Sequence, residues 1–330
     1  MYKNAEDFVV NKLLPAKGKS PRRFILGTDW WTDCDDVMAL KTLCWAHKNR
    51  IIKLEGVEIN ACMEYSAASV GAFVENEGLK IRLQADHEPV SDGVRIAVDI
   101  SAPYSHGKKR YQENMARSLT GIIKSNADAE NPVRMYRSII TEAPESVEIA
   151  EIGFLQSLAA FLESGPDDIS PLSGYELAKN KVKKLWIMGG KWDEQGGREY
   201  NLSNGACAAE AAEKVCRLFP GEITFLGFEV GEPVISGGCL KGKGTLAARA
   251  MSDSGMEDGR SSWDPMLALL AVCGDEKIAG YSSVKGTARV DAATGENYFE
   301  LNSGGKHRYV VKDCEDEYYS RIIDYILLQE

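Results

Sequence analysis

Asp29, Asp33, Asp35 and Asp36 fall within eight residues, in the stretch FILGTDWWTDCDDVMALKTL that runs from Phe24 to Leu43. An apolar run precedes them and an apolar-periodic run follows, so the carboxylates sit where a strand hands over to a helix. Helix capping accounts for one or two of them. Thr32 or Asp33 suits the N-cap of a helix starting near Cys34, and acids in a first turn complement the helix dipole. Capping leaves Asp29, at the strand's end, without a reason. Carboxylates converging at one strand end repel one another and are pushed toward the protonated form, a penalty that a hard cation with oxygen ligands removes. The spacing is not that of an EF-hand loop, which needs a glycine at its sixth position and a glutamate at its twelfth.

The elements that must position such a cluster alternate along the chain. Runs rich in β-branched residues at 24–28, 51–59, 80–84, 147–152, 183–188 and 222–227 predict strands, and helical patterns fall at 35–47, 64–77, 154–164, 205–218 and 263–273. This alternation specifies βαβ units, hence an α/β fold with a mostly parallel central sheet flanked by helices. Ligands of such sheets bind beyond the carboxyl ends of the strands. There the chain places DWWTDCDD, NACMEYS, GFLQS, GGKWDEQGGREYN and GFEVG, which hold much of its unusual chemistry. Toward the C-terminus, VKGTARVDAATGENYFEL reads as a β-hairpin around ATGEN, and 315–329 as a closing helix. No internal repeat interrupts the pattern, and the turn-rich SGPDDISPLSG is short for a linker. One domain is expected over 1–330, with 1–21 as an N-terminal extension and 22–330 as its core.

Bulk composition narrows the function classes. A chain of 330 residues, 44% hydrophobic and 27% charged, suits a globular protein with a sizeable core. Its net charge of −10 opposes non-specific binding to nucleic acid. No apolar run approaches the length of a membrane span, and the N-terminal segment carries acids around a short apolar patch, unlike a secretory leader. Eight cysteines, without a CxxC or a Cys/His cluster at zinc spacing, read as free thiols of a reducing cytosol, so a cytoplasmic location is expected.

GTDWWTDCDDVMAL resembles the N-terminal signature of the inosine–uridine-type nucleoside hydrolases, whose long variant reads Asp-Thr-Asp-x-Gly-x-Asp-x-Asp-Asp-Ala-x-Ala-Leu. Asn60 falls where that family has an asparagine, and IGFLQSLAAFL (152–162) resembles its Thr-Gly-Pro-Leu-Thr-Asn-Leu-Ala segment. LWIMGG followed by EYN (199–201) resembles its Met-Gly-Gly and Glu-Phe-Asn pair, while GFEVG (227–231) and SSWDPMLALL (261–270) match a nucleoside-hydrolase-like branch. The likeness spans roughly residues 22–330 and keeps the order of the strand ends. Three positions depart from it. Gly27 stands where the family often has its first aspartate, Trp31 replaces a glycine of the aspartate loop, and Trp263 stands where purine-cleaving members often have a histidine.

The resemblance implies one bound Ca²⁺, with Asp29, Asp36, the backbone carbonyl of Ile152 and Asp264 as ligands. It implies hydrolysis of the N-glycosidic bond of a ribonucleoside to ribose and free base, by attack of a metal-bound water that Asp29 activates. Asp35, Asn60, Met188, Glu199, Asn201 and Trp263 then line the substrate, and Asp33 has no assigned role. The expected partner is a small nucleoside or ribosyl substrate, with neither nucleic acid nor membrane, in a chain that can form a homo-oligomer such as a dimer or tetramer. Simpler roles stand beside these: Asp264 before Pro265 suits a helix cap, Asn60 and Asn201 suit loops, and Glu199 suits solvent.

Among the four histidines, His47 and His307 read as surface residues, while His106, in APYSHGKKRY, lies in a loop that could fold over the pocket, where a role as leaving-group acid is the alternative to a plain loop residue, with Tyr104 to be tested beside it. Trp45 and Trp186 read as core, whereas Trp30, Trp31, Trp192 and Trp263 fall at the ligand-binding edge. The alternative to an enzyme is a diverged or non-catalytic sugar- or nucleoside-binding protein that keeps the metal site, a reading that Gly27 and Trp263 favour.

Overall fold

The computed structural model describes residues 4–14, 20–30, 33–83, 92–102, 110–118, 121–204 and 207–329. Its strands are β1 (Arg22–Thr28), β2 (Ile52–Ile59), β3 (Arg95–Val98), β4 (Val147–Glu151), β5 (Val182–Met188), β6 (Gly197–Arg198), β7 (Glu222–Leu226), β8 (Ile235–Ser236), β9 (Arg260–Ser261), β10 (Tyr281–Val290), β11 (Glu296–Leu301) and β12 (His307–Lys312). Ten of them form one sheet in the order β3-β2-β1-β4-β5-β7-β12-β10-β11-β6, while β8 and β9 pair separately. Every pairing from β3 through β12 is parallel. Strands β10, β11 and β6 extend the sheet antiparallel, with β10 and β11 as the expected hairpin. This is the expected single-domain α/β architecture.

Chain order reverses at β1, which has β2 on one side and β4 on the other. That reversal opens a crevice at the carboxyl ends of β1 and β4, the place where open parallel sheets take their ligands. The sheet is covered on both faces, so β1 reads as a continuous apolar run, with Phe24, Ile25 and Leu26 fully buried. One core contains Leu40 and Leu43 from helix Asp35–Lys48 and Leu267 and Leu270 from helix Trp263–Cys273. The other contains Ile139 from helix Pro132–Glu142, Leu158 from helix Gln156–Glu163 and Val215 from helix Ala208–Leu218. Each such leucine contributes roughly 1.5–3 kcal/mol by leaving water. The segment ahead of β1 feeds the same core, since Phe8, Val9 and Leu13 are buried and Phe8 meets Tyr318 edge-on at 6.1 Å.

Several elements differ from expectation. Of the apolar run at 80–84, the described residues 80–83 make an isolated bridge, Ile81 to Val94, and the sheet edge is instead the short β3. Strand β12 and helices Arg110–Ser118, Pro132–Glu142, Gly174–Lys181 and Leu246–Asp253 were not anticipated. β12 inserts between β7 and β10, so its pairing is decided by partners far away in sequence. Neither histidine read as surface is fully exposed. His47 is half-buried, with Nδ1 accepting from the Leu54 amide at 3.1 Å, and His307 is buried, with Nδ1 accepting from the Ala288 amide at 2.9 Å. Burial pushes His307 down to about 4.

Candidate functional site

β1 delivers Asp29 to the crevice, and the chain then turns sharply. Trp30 takes φ 40°, a left-handed conformation that costs a bulky side chain roughly 1–2 kcal/mol. Its indole is anchored in the core: Nε1 donates to Ser69 Oγ at 2.9 Å, and the ring meets Phe73 and Tyr111 edge-on. Gln112 donates to the Trp30 carbonyl. Helix Asp35–Lys48 then starts with Asp35 and Asp36 in its first turn. Its N-cap is Cys34, with no side-chain capping bond, so none of the four aspartates serves as the cap. Asp36 is fixed by donors from the end of β1, the Thr28 hydroxyl and the Trp30 amide, the latter at 3.2 Å.

The other strand ends close around this loop. Ile152 and Gly153 follow β4, and a Cβ on Gly153 would stand 2.3 Å from the Asp29 nitrogen, so only glycine permits that approach. Asn201 sits in the turn of helix Tyr200–Ser203, and its Nδ2 donates to the carbonyls of Ile152 at 3.3 Å and Met188 at 3.2 Å. Glu199 is the N-cap of that turn, not a solvated side chain. It accepts from the amides of Asn201 at 2.9 Å, Gly190 at 3.1 Å and Leu202 at 3.3 Å. Burial pushes Glu199 up to about 7 against those amides. Asp264 lies in the first turn of helix Trp263–Cys273, whose N-cap is Ser262, so it is not a cap either.

These residues line one cavity of about 220 Å³, bounded by Asp29, Asp33, Asp35, Asp36, Ile152, Met188, Glu199, Tyr200, Asn201, Phe228, Arg260, Trp263 and Asp264. Asp33, Asp35 and Asp36 offer oxygens within 4.8 Å of one another. Burial, then repulsion from Asp36 and Asp33, holds Asp29 well above the usual carboxylate range. Burial and Asp33 push Asp36 up to about 7, and burial with Asp35 and Asp36 raises Asp264.

Over 93% or more of its length, the chain superimposes on solved structures that include nucleoside hydrolases. An inosine–uridine preferring nucleoside hydrolase from Bacillus anthracis matches at TM-score 0.66 and 15% identity, over 93% of this chain and 99% of its own. A purine-preferring ribonucleoside hydrolase from Gardnerella vaginalis matches at TM-score 0.65 and 15% identity, over 93% and 98%. This chain has the nucleoside hydrolase fold. The type III effector XopQ, solved in complex with adenosine diphosphate ribose, shares it at TM-score 0.66 and 14% identity, over 99% of this chain and 98% of its own. No family model and no curated protein sequence matches the chain.

Within the nucleoside hydrolase fold, one expected site residue stands apart from the cavity. Asn60 is fully buried and is not among the lining residues. Its Oδ1 accepts from the Phe154 amide at 2.9 Å and its Nδ2 donates to Glu58 at 3.2 Å, so its amide ties the ends of β2 and β4 together. Trp30 and Trp192 are corrections to the reading of an aromatic edge. Trp30 is fully buried under the aspartate loop, and Trp192 is buried among Phe225, Phe299 and Tyr309. Trp31, Thr32, Tyr104, His87 and His106 lie outside the described residues.

Arg260, Tyr200 and Phe228 line the cavity without having been singled out from the sequence. Arg260 Nη2 donates to Asp33 at 2.7 Å and Nε to Asp35 at 3.3 Å, which gives Asp33 a partner. The signal was adjacency: Arg260 precedes SSWDP, Tyr200 lies inside EYN and Phe228 inside GFEVG.

A hard divalent cation fits this donor set. Among the described residues the lining offers carboxylates and carbonyls, no imidazole or thiolate, and a thioether, Met188 Sδ, that already accepts from Asn201 Nδ2 at 3.3 Å. Oxygen donors of this kind suit Ca²⁺ or Mg²⁺ rather than zinc. Burial first, and mutual repulsion after it, raises Asp29, Asp36 and Asp264, and a bound cation offsets both penalties.

Proposed function

We propose that the protein is a Ca²⁺-dependent N-glycosidase that hydrolyses a ribonucleoside or closely related riboside. The observation that carries this is the convergence of Asp29, Asp36, Asp264 and Ile152 in one cavity that Tyr200, Phe228 and Trp263 also line. The similarity to two nucleoside hydrolase structures supports it. Asp29, Asp36, Asp264 and Ile152 would hold the cation, which supplies charge that ionises its carboxylate ligands and acidifies water nearby.

Asp29 takes the proton of the attacking water as its oxygen reaches the anomeric carbon. Asp35, Glu199 and the Oδ1 of Asn201 accept hydrogen bonds from the sugar hydroxyls and hold the ring in register. The fixed carboxylates stabilise the oxocarbenium-like charge that builds as the bond to the base breaks. Trp263 stacks on Phe228 with centroids 5.2 Å apart, and its Nε1 donates to the Phe228 carbonyl at 2.9 Å, so it offers the base a flat wall. Asn60 acts at one remove, through the end of β4. The eight free cysteines fit a reducing compartment such as the cytosol.

Release of reducing sugar from a panel of ribonucleosides and p-nitrophenyl riboside, with Ca²⁺ and after chelation, tests the proposal. Turnover that needs the cation and is abolished in Asp29→Asn is the expected result. A chain that binds ribosides without releasing sugar overturns it and leaves the second reading, a ribosyl-binding protein. That reading draws on the XopQ complex with adenosine diphosphate ribose and on Arg260, which already engages the carboxylate of Asp35.

A further inference from the structure

The cavity is graded from floor to mouth. Asp29, Asp35, Asp36 and Asp264 are at most 7% exposed and form the floor. Tyr200 is 39% exposed, and the side chains of Asp33 and Arg260 are 36% and 19% exposed. A sugar held by the floor carboxylates therefore projects its aglycone toward Tyr200, Phe228, Trp263 and Arg260. The Arg260 guanidinium lies 5.2 Å from the Trp263 ring centroid, on the residue whose other contact is Phe228. Its two ion pairs use Nη2 and Nε, which leaves Nη1 without a partner among the described residues.

We propose that Arg260 is the residue that faces the leaving group, stabilising the departing base as an anion in place of an acid that would protonate it. The site is thereby selective for N-ribosides whose base leaves as a delocalised anion. This rests on the N-glycosidase reading above.

Neither Arg260 nor Trp263 can act as an acid toward the base. An arginine stays charged at any working pH and so can pair with an anion but not give up a proton. An indole N–H is no acid at neutral pH, and that of Trp263 is already committed to the Phe228 carbonyl. No histidine lines the cavity among the described residues. In the step itself, water oxygen bonds to the anomeric carbon, and the carbon–nitrogen bond breaks with its electron pair left on the base. The water proton goes to Asp29 and from there to solvent, and the anion, paired with Arg260, takes a proton from solvent on release. The sum is riboside plus water giving ribose plus neutral base. Bases with the more acidic ring N–H, the oxopurines, are favoured over aminopurines and cytosine.

The test is a leaving-group series, p-nitrophenyl riboside, xanthosine, inosine and adenosine, run with wild type, Arg260→Lys and Arg260→Gln, alongside calorimetric binding of xanthine across its ionisation. Arg260→Gln should lower kcat for inosine roughly 100-fold, on the scale of one lost charge-stabilising donor, and leave p-nitrophenyl riboside within about tenfold. The plot of log kcat against leaving-group pKa then steepens, and Arg260→Lys lies between the two. Wild type should bind xanthine more tightly as it ionises, and Arg260→Gln should lose that gain while its Ca²⁺ stoichiometry stays unchanged. An equal loss on every substrate, with an unchanged slope, overturns the proposal and makes Arg260 a clamp on Asp33 and Asp35. If wild type turns over no riboside, the N-glycosidase reading fails separately. Xanthine binding then still decides the role of Arg260, and affinity indifferent to ionisation or to Arg260→Gln overturns it.

Discussion

Glu151 occupies the place of a side chain that Gly27 lacks. The two residues pair in register across β1 and β4, and Glu151 Oε2 stands 1.8 Å from where a Cβ on Gly27 would be. Glu151 is buried, its Oε1 accepts from the Tyr136 hydroxyl at 2.7 Å, and burial pushes it up to about 8. At the position where the resembled family often carries its first aspartate, the carboxyl in this protein comes from the neighbouring strand. Gly27→Asp should therefore destabilise by more than the 1–3 kcal/mol usual for overpacking, and Gly27→Asp with Glu151→Ala should recover most of it. Urea unfolding of the two single variants and the double variant gives the coupling, expected above about 1 kcal/mol. Additive effects would show that the two sites are independent.

Asp264 separates the behaviour with and without cation. In chelator, Asp264→Asn should be at least as stable as wild type, because it removes one of several buried, mutually repelling carboxyls. With Ca²⁺ at about 100 times its Kd, wild type should gain roughly 2.7 kcal/mol and the variant almost nothing. Affinity should rise with pH, since Asp36, pushed up to about 7, must shed its proton to take a cation. Thermal melts with and without Ca²⁺ check both points; equal stabilisation of the two proteins removes Asp264 from the site.

His307 makes the fold acid-sensitive. Its folded pKa lies near 4, below the ordinary 6.5, so the unfolded chain binds the extra proton between those values. The stability it contributes is complete above 6.5 and is lost as pH falls toward 4. Protonation also breaks the bond that Nδ1 accepts from the Ala288 amide. His307→Gln should flatten the acid limb of the stability curve by roughly 1–3 kcal/mol. An acid limb identical to that of wild type would mean other groups govern it.

Asn201 should affect sugar and cation together. Its Nδ2 holds the carbonyls of Ile152 and Met188 at 3.3 and 3.2 Å, while its Oδ1 is the proposed acceptor for a sugar hydroxyl. Asn201→Ala should lower kcat/KM by about 1–3 kcal/mol and weaken Ca²⁺ binding as the Ile152 carbonyl loses its tether. Asn201→Asp, which cannot donate, should lose the tether yet keep an acceptor. Steady-state kinetics paired with Ca²⁺ calorimetry separate the two effects, and unaltered values in Asn201→Ala would exclude the residue from the site.

The sequence determined the strand-to-helix alternation, and with it the parallel sheet, because β1, β2, β4, β5 and β7 are runs long and apolar enough to identify themselves without their partners. It also marked Asp29, Asp35, Asp36, Met188, Glu199, Asn201, Trp263 and Asp264, since parallel strands deliver whatever follows them to one edge. Tertiary structure alone decided which of those side chains share the cavity. Asn60 was drawn away by the Phe154 amide and Glu58, and Trp192 by aromatic rings on β7, β11 and β12. It also decided the partner of Asp33, because Arg260 lies more than two hundred residues along the chain and only the folding of β9 beside the aspartate loop brings the charges together. Local pattern fixes which face of an element is buried. Which distant polar group satisfies a buried carboxylate is a property of the packed molecule.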